Sequence, residues 1–574
     1  MKKYFFFGAL FAAGMLMTAC SSDNDAVLEN TSLDSKFDAQ GNAYVNFAIN
    51  MPTAGSATRA NEDYQHGTAA EYEVHDAVLL LFQGSSDNED AAEFISASNM
   101  NNKVATGTQT ERVSDRILFT QQINKGHANL AGETGLLAFL VVNHNDLFAV
   151  ADDHSLKIND EDFDGTFGDL KARKLSELGN TTDGLLMTNA PMSSKPGKTN
   201  SPKDANITYL TEIQAADIYN SESDAYNGKR FIDIFVERAA AKVNVTSTAS
   251  GTLVDGTVTY SANGLKWAIE NFNTNYYIER HISNSYFGSA SANLESKNYR
   301  FVDSQPVYTD FTLYRTYWAE DHNMDDKPDN VTTYAKTQPD TKSWKGLSSV
   351  EYIAENTVDQ NSLKQEYTTR LVLAVPFNNG VDFYTSSFTG ADVIKSSTDM
   401  ATATVDFIKL LPSYATWKAS NDSYDVTGVT FETPATGLAT VKTITTSGGS
   451  STDAILEEVN KKAQFSFYKD GIAYYKVLIK HFGDHETPLA ATVSGTGYTD
   501  IYGTEEADRI QNFLGRYSIV RNNWYNVNLE GIRHIGKPSV PEVPTDTPDD
   551  EIDAYLKVRI NVLSWGWRTQ GVIL

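Results

Sequence analysis

Short runs of β-branched and aromatic residues recur along the whole chain, each closed off by a cluster of Asn, Gly, Ser and Asp. Tyr44 to Met51 alternates strictly, with Val45, Phe47, Ile49 and Met51 on one face, the signature of a half-buried strand. Val74 to Phe82, Leu136 to Val142, Phe231 to Val236, Lys242 to Val245, Leu371 to Val375 and Tyr474 to Ile479 are similar apolar runs. Turn residues rather than helical periods separate them, so the pattern predicts an all-β chain of sandwiches, not alternating β-α units. The clearest helix signal is Thr452-Asp453 ahead of Ala454 to Val459. No short-period repeat is present, which argues against a solenoid or propeller. The surface loops expected are Asp321 to Asn330 and Thr445 to Ser451.

The 574 residues suffice for roughly two to four domains. Aromatic content of 11% supplies enough bulk for substantial cores. A formal net charge of -27 repels phosphate backbones and argues against a nucleic-acid partner. The chain has a single cysteine, Cys20, so it can form neither an internal disulfide nor a thiolate metal cluster. Lys2 and Lys3 followed by an apolar run to Met17 read as a signal peptide, too short to favour a membrane span. Thr18 and Ala19 before Cys20 look like a lipobox, although Met17 stands where Leu is usual. The alternative is an ordinary signal peptide with a chance Cys. Ser21, Ser22, Asp23, Asn24 and Asp25 resemble an export tag of surface lipoproteins, with Cys20 the expected acylation site.

Two alternating strands sit near opposite ends. The first, with Val45, Phe47, Ile49 and Met51, is followed by the small polar stretch Pro52 to Ala60, whose one basic residue is Arg59. The second has Leu556, Val558, Ile560 and Val562 on one face and follows Lys537 to Asp550, a Pro-rich spacer with four prolines. A strand on such a spacer is expected not to fold back onto its own domain, and left free it is an aggregation hazard. Completing a neighbour's sheet removes the hazard. Burying four such side chains is worth about 6–12 kcal/mol gross. Repeated head to tail, the contact builds a filament. The competing reading makes both segments ordinary edge strands of one domain.

Several stretches resemble the major fimbrial subunits (fimbrillins) of Bacteroidetes type V pili, in particular the short-fimbriae branch. Val236-Glu237-Arg238-Ala239-Ala240-Ala241-Lys242-Val243 looks like the family signature closing the first domain, and Trp267 to Asn273 (WAIENFN) like the motif opening the second. Tyr317 to Asn323 (YWAEDHN), Gly515 to Tyr525 (GRYSIVRNNWY) and the ending through Ser564-Trp565 are also similar. The resemblance implies two transthyretin-like β-sandwich domains with a C-terminal donor strand on the Pro-rich linker. It implies residues 1–19 as signal peptide, 20–59 as propeptide with a removable strand, 60–245 and 246–537 as the sandwiches, and 538–574 as linker and donor strand. An arginine-specific protease would cut between Arg59 and Ala60, and Leu556 to Val562 of one subunit would fill the vacated groove of the next. The partners implied are other copies of the chain, other pilus subunits, that protease, and the outer membrane through lipid before cleavage. The implied place is the cell surface, in a fimbrium. Whether a second Arg, such as Arg112, is also cut is left open.

Enzyme chemistry finds little support. Asp160 to Gly165 begins like a calcium loop, but Lys171 stands where a bidentate Glu is required, leaving a weak site of another type as the minor alternative. Asp321 to Asp326 lacks the loop glycine. Gly197-Lys198-Thr199 lacks the upstream glycine of a phosphate loop. His481 and His485 are expected in a loop rather than on a metal. The expectation is a structural pilin that is not an enzyme and needs no cofactor. The rival is a surface-anchored lipoprotein that keeps its lipid and serves as a pilus anchor or a glycan- or protein-binding module.

Overall fold

The computed structural model describes residues 33–50, 68–71, 73–100, 116–130, 135–176, 178–180, 183–193, 207–254, 256–283, 315–321, 323, 334–335, 344–357, 364–435, 437–481, 517–542, 556–564 and 567–571. The chain is mostly β-sheet, as the alternating runs predict. In the first part, nine described strands form one sheet: a hydrogen-bonded path of seven, Ile218–Tyr219, Asn42–Asn50, Phe231–Arg238, Met187–Asn189, Gly135–Val142, Ala77–Gly84 and Glu93–Asn99, with Arg116–Asn124 paired off it on Asn42–Asn50 and Thr211–Ile213 on Gly135–Val142. The path turns on itself, because side chains from both ends meet in one core: Val45, Phe47, Ile49 and Phe119 from one half, Leu79, Leu81, Leu136 and Leu140 from the other. That is sandwich packing.

Both faces of residues 77–82 and 136–142 are apolar for a reason. Their second face, with Leu80, Phe82, Phe139 and Val141, is buried in another core against the short helix Phe167–Ala172. Tyr276, Ile278 and Trp318 close that core. They come from the antiparallel pair Tyr276–Ser283 and Arg315–Ala319, so a segment that follows the strands of the first sandwich in sequence covers it. The helix is started by Thr166 and Asp169, which form a capping box.

The second sandwich packs a five-stranded sheet on a four-stranded one. The first runs Val350–Ile353, Ala241–Ser247, Asn523–Ile532, Leu556–Ser564, Trp567–Gly571; the second runs Lys345–Gly346, Lys266–Glu270, Arg370–Pro376, Ile472–Leu478. Val243, Val245, Tyr525, Val527 and Leu529 meet Trp267, Leu371, Leu373, Val375, Tyr475 and Val477 between them.

One part departs from the expected pattern. Between Arg370–Pro376 and Ile472–Leu478 lies a lobe with its own core of Met400, Ile408, Trp417, Val441, Ile455, Val459 and Phe465. It carries five strands and three helices, Ser397–Ile408, Pro412–Ser420 and Asp453–Ala463. The helix expected after Thr452 is there, although Thr452 makes no side-chain cap. The helix Ser397–Ile408 is Thr-rich and does not stand out by propensity. Its signals are the Ser396 N-cap, which accepts a hydrogen bond from Asp399 N at 3.1 Å, and the buried Met400, Thr404 and Ile408 at helical spacing. Thr445 and Thr446, expected in a loop, end the strand Leu438–Thr446.

Candidate functional site: the inserted strand and the tail strand

The first strand, Asn42–Asn50, is not an edge. Along its whole length it pairs antiparallel with Arg116–Asn124, from Asn42 opposite Asn124 to Asn50 opposite Arg116. Its other side is divided. Tyr44 and Val45 pair antiparallel with Tyr219 and Ile218, and Asn46 to Asn50 pair parallel with Phe231 to Phe235. Val45, Phe47 and Ile49 are completely buried. Phe47 stacks on Phe119 at 5.8 Å between centroids. The opposite face is buried too and its polar groups are paired: Asn46 Nδ2 donates to Ala225 O at 2.6 Å, and Thr120 Oγ1 donates to Asn46 Oδ1 at 2.7 Å. Asn50 Nδ2 donates to Asp233 Oδ1 at 2.9 Å.

Among the described strands, Arg116–Asn124 pairs only with this one. Taking Asn42–Asn50 away would therefore open a slot with an unpaired backbone on each side and apolar walls from Phe119, Ile123 and Ile234. Burial of three large apolar side chains holds the strand with about 5–9 kcal/mol gross. Met51, Arg59, Ala60 and Cys20 lie outside the described residues.

The tail strand corrects one expectation. Leu556–Ser564 does not stand away from the body; it pairs antiparallel with Asn523–Ile532 of its own second sandwich, Asn523 opposite Ser564 and Ile532 opposite Leu556. The register shifts between Leu529 and Gly531, and Trp567–Gly571 adds a further antiparallel strand outside it. The physical reason is that Asn523–Ile532 would otherwise end the sheet with a ten-residue open edge. A long linker costs little closure entropy, because that cost grows only logarithmically with length. Leu556, Val558, Ile560 and Val562 lie on this strand. The two end strands are thus in different sandwiches, which excludes the reading that both are edges of one domain.

The motifs noted in the sequence converge on buried polar contacts. Glu355 accepts from the backbone N–H of Trp318 and, at 3.2 Å, of Ala319, and from Arg521 Nη1 at 3.0 Å. Asp321 accepts from Thr357 N and Thr357 Oγ1, both at 2.7 Å. Asn273 Nδ2 donates to Glu355 O at 2.8 Å. Lys242 forms a buried ion pair with Glu71, its Nζ lying 3.8 Å above the Trp524 ring, and Tyr352 OH donates to Glu71 at 2.7 Å. Burial pushes the Glu71 carboxyl up, but the hydrogen bond and charge of Lys242 with the Tyr352 and Thr68 donors leave it below its usual value. These residues tie segments together; sequence spacing gave no sign of the contact of Glu71 with Lys242 and Tyr352, which are distant in the chain.

Asp160 to Gly165 runs from the tight turn after Leu156–Ile158 through the strand Glu161–Phe163, where Asp162 pairs with Lys157 at 3.0 Å and Glu161 with Arg173 at 2.5 Å. No group of three or more His, Cys, Asp or Glu able to hold a metal occurs among the described residues. His481 is buried, with Nδ1 2.6 Å from Tyr525 Oη. No described helix is long and apolar enough to cross a membrane.

No curated protein matches the chain in sequence. Two similar solved structures are a fimbrillin (fimA) from Porphyromonas gingivalis W83 and the tip fimbrial protein Mfa3 from Porphyromonas gingivalis, the latter truncated at its C terminus. The first is 12% identical over 92% of this chain and 98% of its own, with a TM-score of 0.33. The second is 10% identical over 91% of this chain and 100% of its own, with a TM-score of 0.30. At such scores the likeness carries no argument. The family model described as "Major fimbrial subunit protein type IV, Fimbrillin, C-terminal" matches residues 466–571, which span Ile472–Leu478, Asn523–Ile532 and both tail strands. This C-terminal part of the chain is thus similar to the C-terminal region of the fimbrillins.

Proposed function

We propose that the chain is a structural pilin, a stalk subunit of the short-fimbriae kind, that polymerises by strand exchange and supports adhesion at the cell surface. It reaches that surface as a lipoprotein acylated on Cys20, and an arginine-specific protease cuts between Arg59 and Ala60. Loss of Asn42–Asn50 opens the slot beside Arg116–Asn124, and Leu556 to Val562 of another copy fills it. The observation that carries this reading is the placement of the first strand: it is inserted between two neighbours, and its removal leaves both with unpaired edges. An open slot of that kind is completed by an incoming strand with alternating apolar side chains, which the tail supplies.

The tail must first leave Asn523–Ile532, exchanging one antiparallel ladder for another. The net gain then comes from the side chains in the new slot. Deleting residues 556–574 tests the donor role. The truncated chain is expected to fold and stay monomeric while failing to extend filaments; normal filaments would overturn the role.

A second reading has one observation in its favour. The tail strand is already paired within its own chain, so an uncut subunit has no unmet need for a partner. A subunit that keeps its lipid and its first strand would be an anchor or a surface-bound binding module. Acylated Cys20 on the protein recovered from cells would select it.

A further inference from the structure

The linker that leads to the tail is held at its root. Asp392 Oδ1 accepts from Ile535 N at 2.8 Å, and His534 Nδ1 lies 2.8 Å from Asp392 Oδ2. Tyr475 OH donates to His534 O and accepts from Gly536 N, both at 2.9 Å. Tyr468 OH donates to Gly536 O at 2.9 Å. Lys537 and Tyr474 exchange backbone hydrogen bonds of 2.9 and 2.8 Å. Arg370 Nη2 reaches Pro541 O at 3.3 Å. The approach is close enough to need glycine on both sides. A Cβ on Gly536 would lie 2.5 Å from Tyr474 O, and one on Gly437, at φ +74°, would lie 2.5 Å from Pro538 Cβ.

Asp392 and Gly437 belong to the inserted lobe, and Tyr468 ends one of its strands. The sandwich does not need that lobe to close. Pro376 and Ile472 are direct partners at the end of an antiparallel pair, which a short turn could join. The chain instead places residues 377–471 there, and the lobe meets the linker.

We propose that the lobe, with Tyr474 and Tyr475 of the sandwich, is a clasp for this chain's own residues 534–541, fixing where the tail leaves the subunit and how far it reaches. Unclasped, the tether from Ile532 to Leu556 is residues 533–555 and could extend about 80 Å; clasped, it is residues 542–555 and extends at most about 50 Å. The clasp holds whether or not the tail is donated. Its consequence for subunit spacing rests on the strand-exchange reading.

Hydrogen exchange on the purified full-length chain tests the clasp separately from polymerisation. The amides of Ile535, Gly536 and Lys537 are expected to be protected, although the linker lies outside regular strands. In Asp392→Ala, exchange at Ile535 should rise about tenfold or more, while amides of Leu371 and Leu373 keep their wild-type rates and show that the sandwich is intact. Gly437→Ala should have the same local effect by displacing Pro538. Free exchange of residues 535–537 in the wild-type chain, or unchanged protection in both variants, would overturn the clasp. Filaments of Asp392→Ala should bend more easily than wild type; equal stiffness would overturn the consequence for spacing and leave the exchange result to decide the clasp itself.

Discussion

At the scale of single residues, Phe47 tests the proposed removal of the first strand. Its ring is wholly buried and stacked on Phe119. Phe47→Ala should destabilise the uncut first sandwich by about 3–5 kcal/mol, read from denaturant unfolding, and should leave the cut protein unchanged because the residue has gone. Glu279 supplies a pH test. It is wholly buried, and neither carboxylate oxygen meets a hydrogen-bond donor among the described residues. Burial pushes its carboxyl well above the usual range, against the pull of Lys171 and Arg280. Burial also raises Glu89, against hydrogen bonds from Tyr209 N and Leu210 N. A raised carboxyl costs stability at pH 7, and the cost is relieved as pH falls through the folded value, because the native state then binds a proton the unfolded chain does not. Glu71 is lowered, so its contribution is present above the unfolded carboxylate value and is lost as pH falls through its folded one. Melting temperature between pH 7 and pH 5 is therefore set by relief at Glu279 and Glu89 against a loss at His144, whose imidazole burial holds below its usual value so that the unfolded chain binds a proton there first. Glu279→Gln should raise it by about 2–4 °C at pH 7, with the gain shrinking near pH 5. A gain equal at both pH values would contradict the buried-charge account.

Among elements, strands were the most legible. Val45, Phe47 and Ile49 alternate in the sequence and all three are core residues, since period two places every second side chain on one face. Alternation could not tell which neighbours a strand pairs with. Hence the expectation that the tail stays off its own domain failed: Asn523–Ile532 offers an open edge because Ala241–Ser247, distant in sequence, takes only its other side. The helices of the lobe were largely missed because Thr-rich segments such as Ser397–Ile408 rank low in helix propensity and are held by packing. A prediction belongs here as well. Without residues 556–574, Asn523–Ile532 becomes an edge, and its backbone amides on that side should lose protection in hydrogen exchange. Unchanged protection would mean the tail is not paired there in solution.

For the whole molecule, the proposed strand exchange turns on the two end strands, and they are held in opposite ways. The first strand is inserted in the middle of a sandwich, whereas the tail closes the open edge of the other. Under the proposed mechanism the first is removed by cutting, and the second is released by exchanging its pairing for that of another subunit. Sequence made the all-β class and the two strand patterns legible. It did not reveal the antiparallel pair Tyr276–Ser283 and Arg315–Ala319 lying over the first sandwich, because only tertiary contacts put Ile278 and Trp318 beside Phe139. The most direct test of the account is the N-terminus of the protein recovered from the cell surface, read by intact mass and N-terminal sequencing. The account predicts a chain that starts at Ala60, without lipid and without Asn42–Asn50. A chain that starts at acylated Cys20 would contradict it and leave the slot filled by its own first strand.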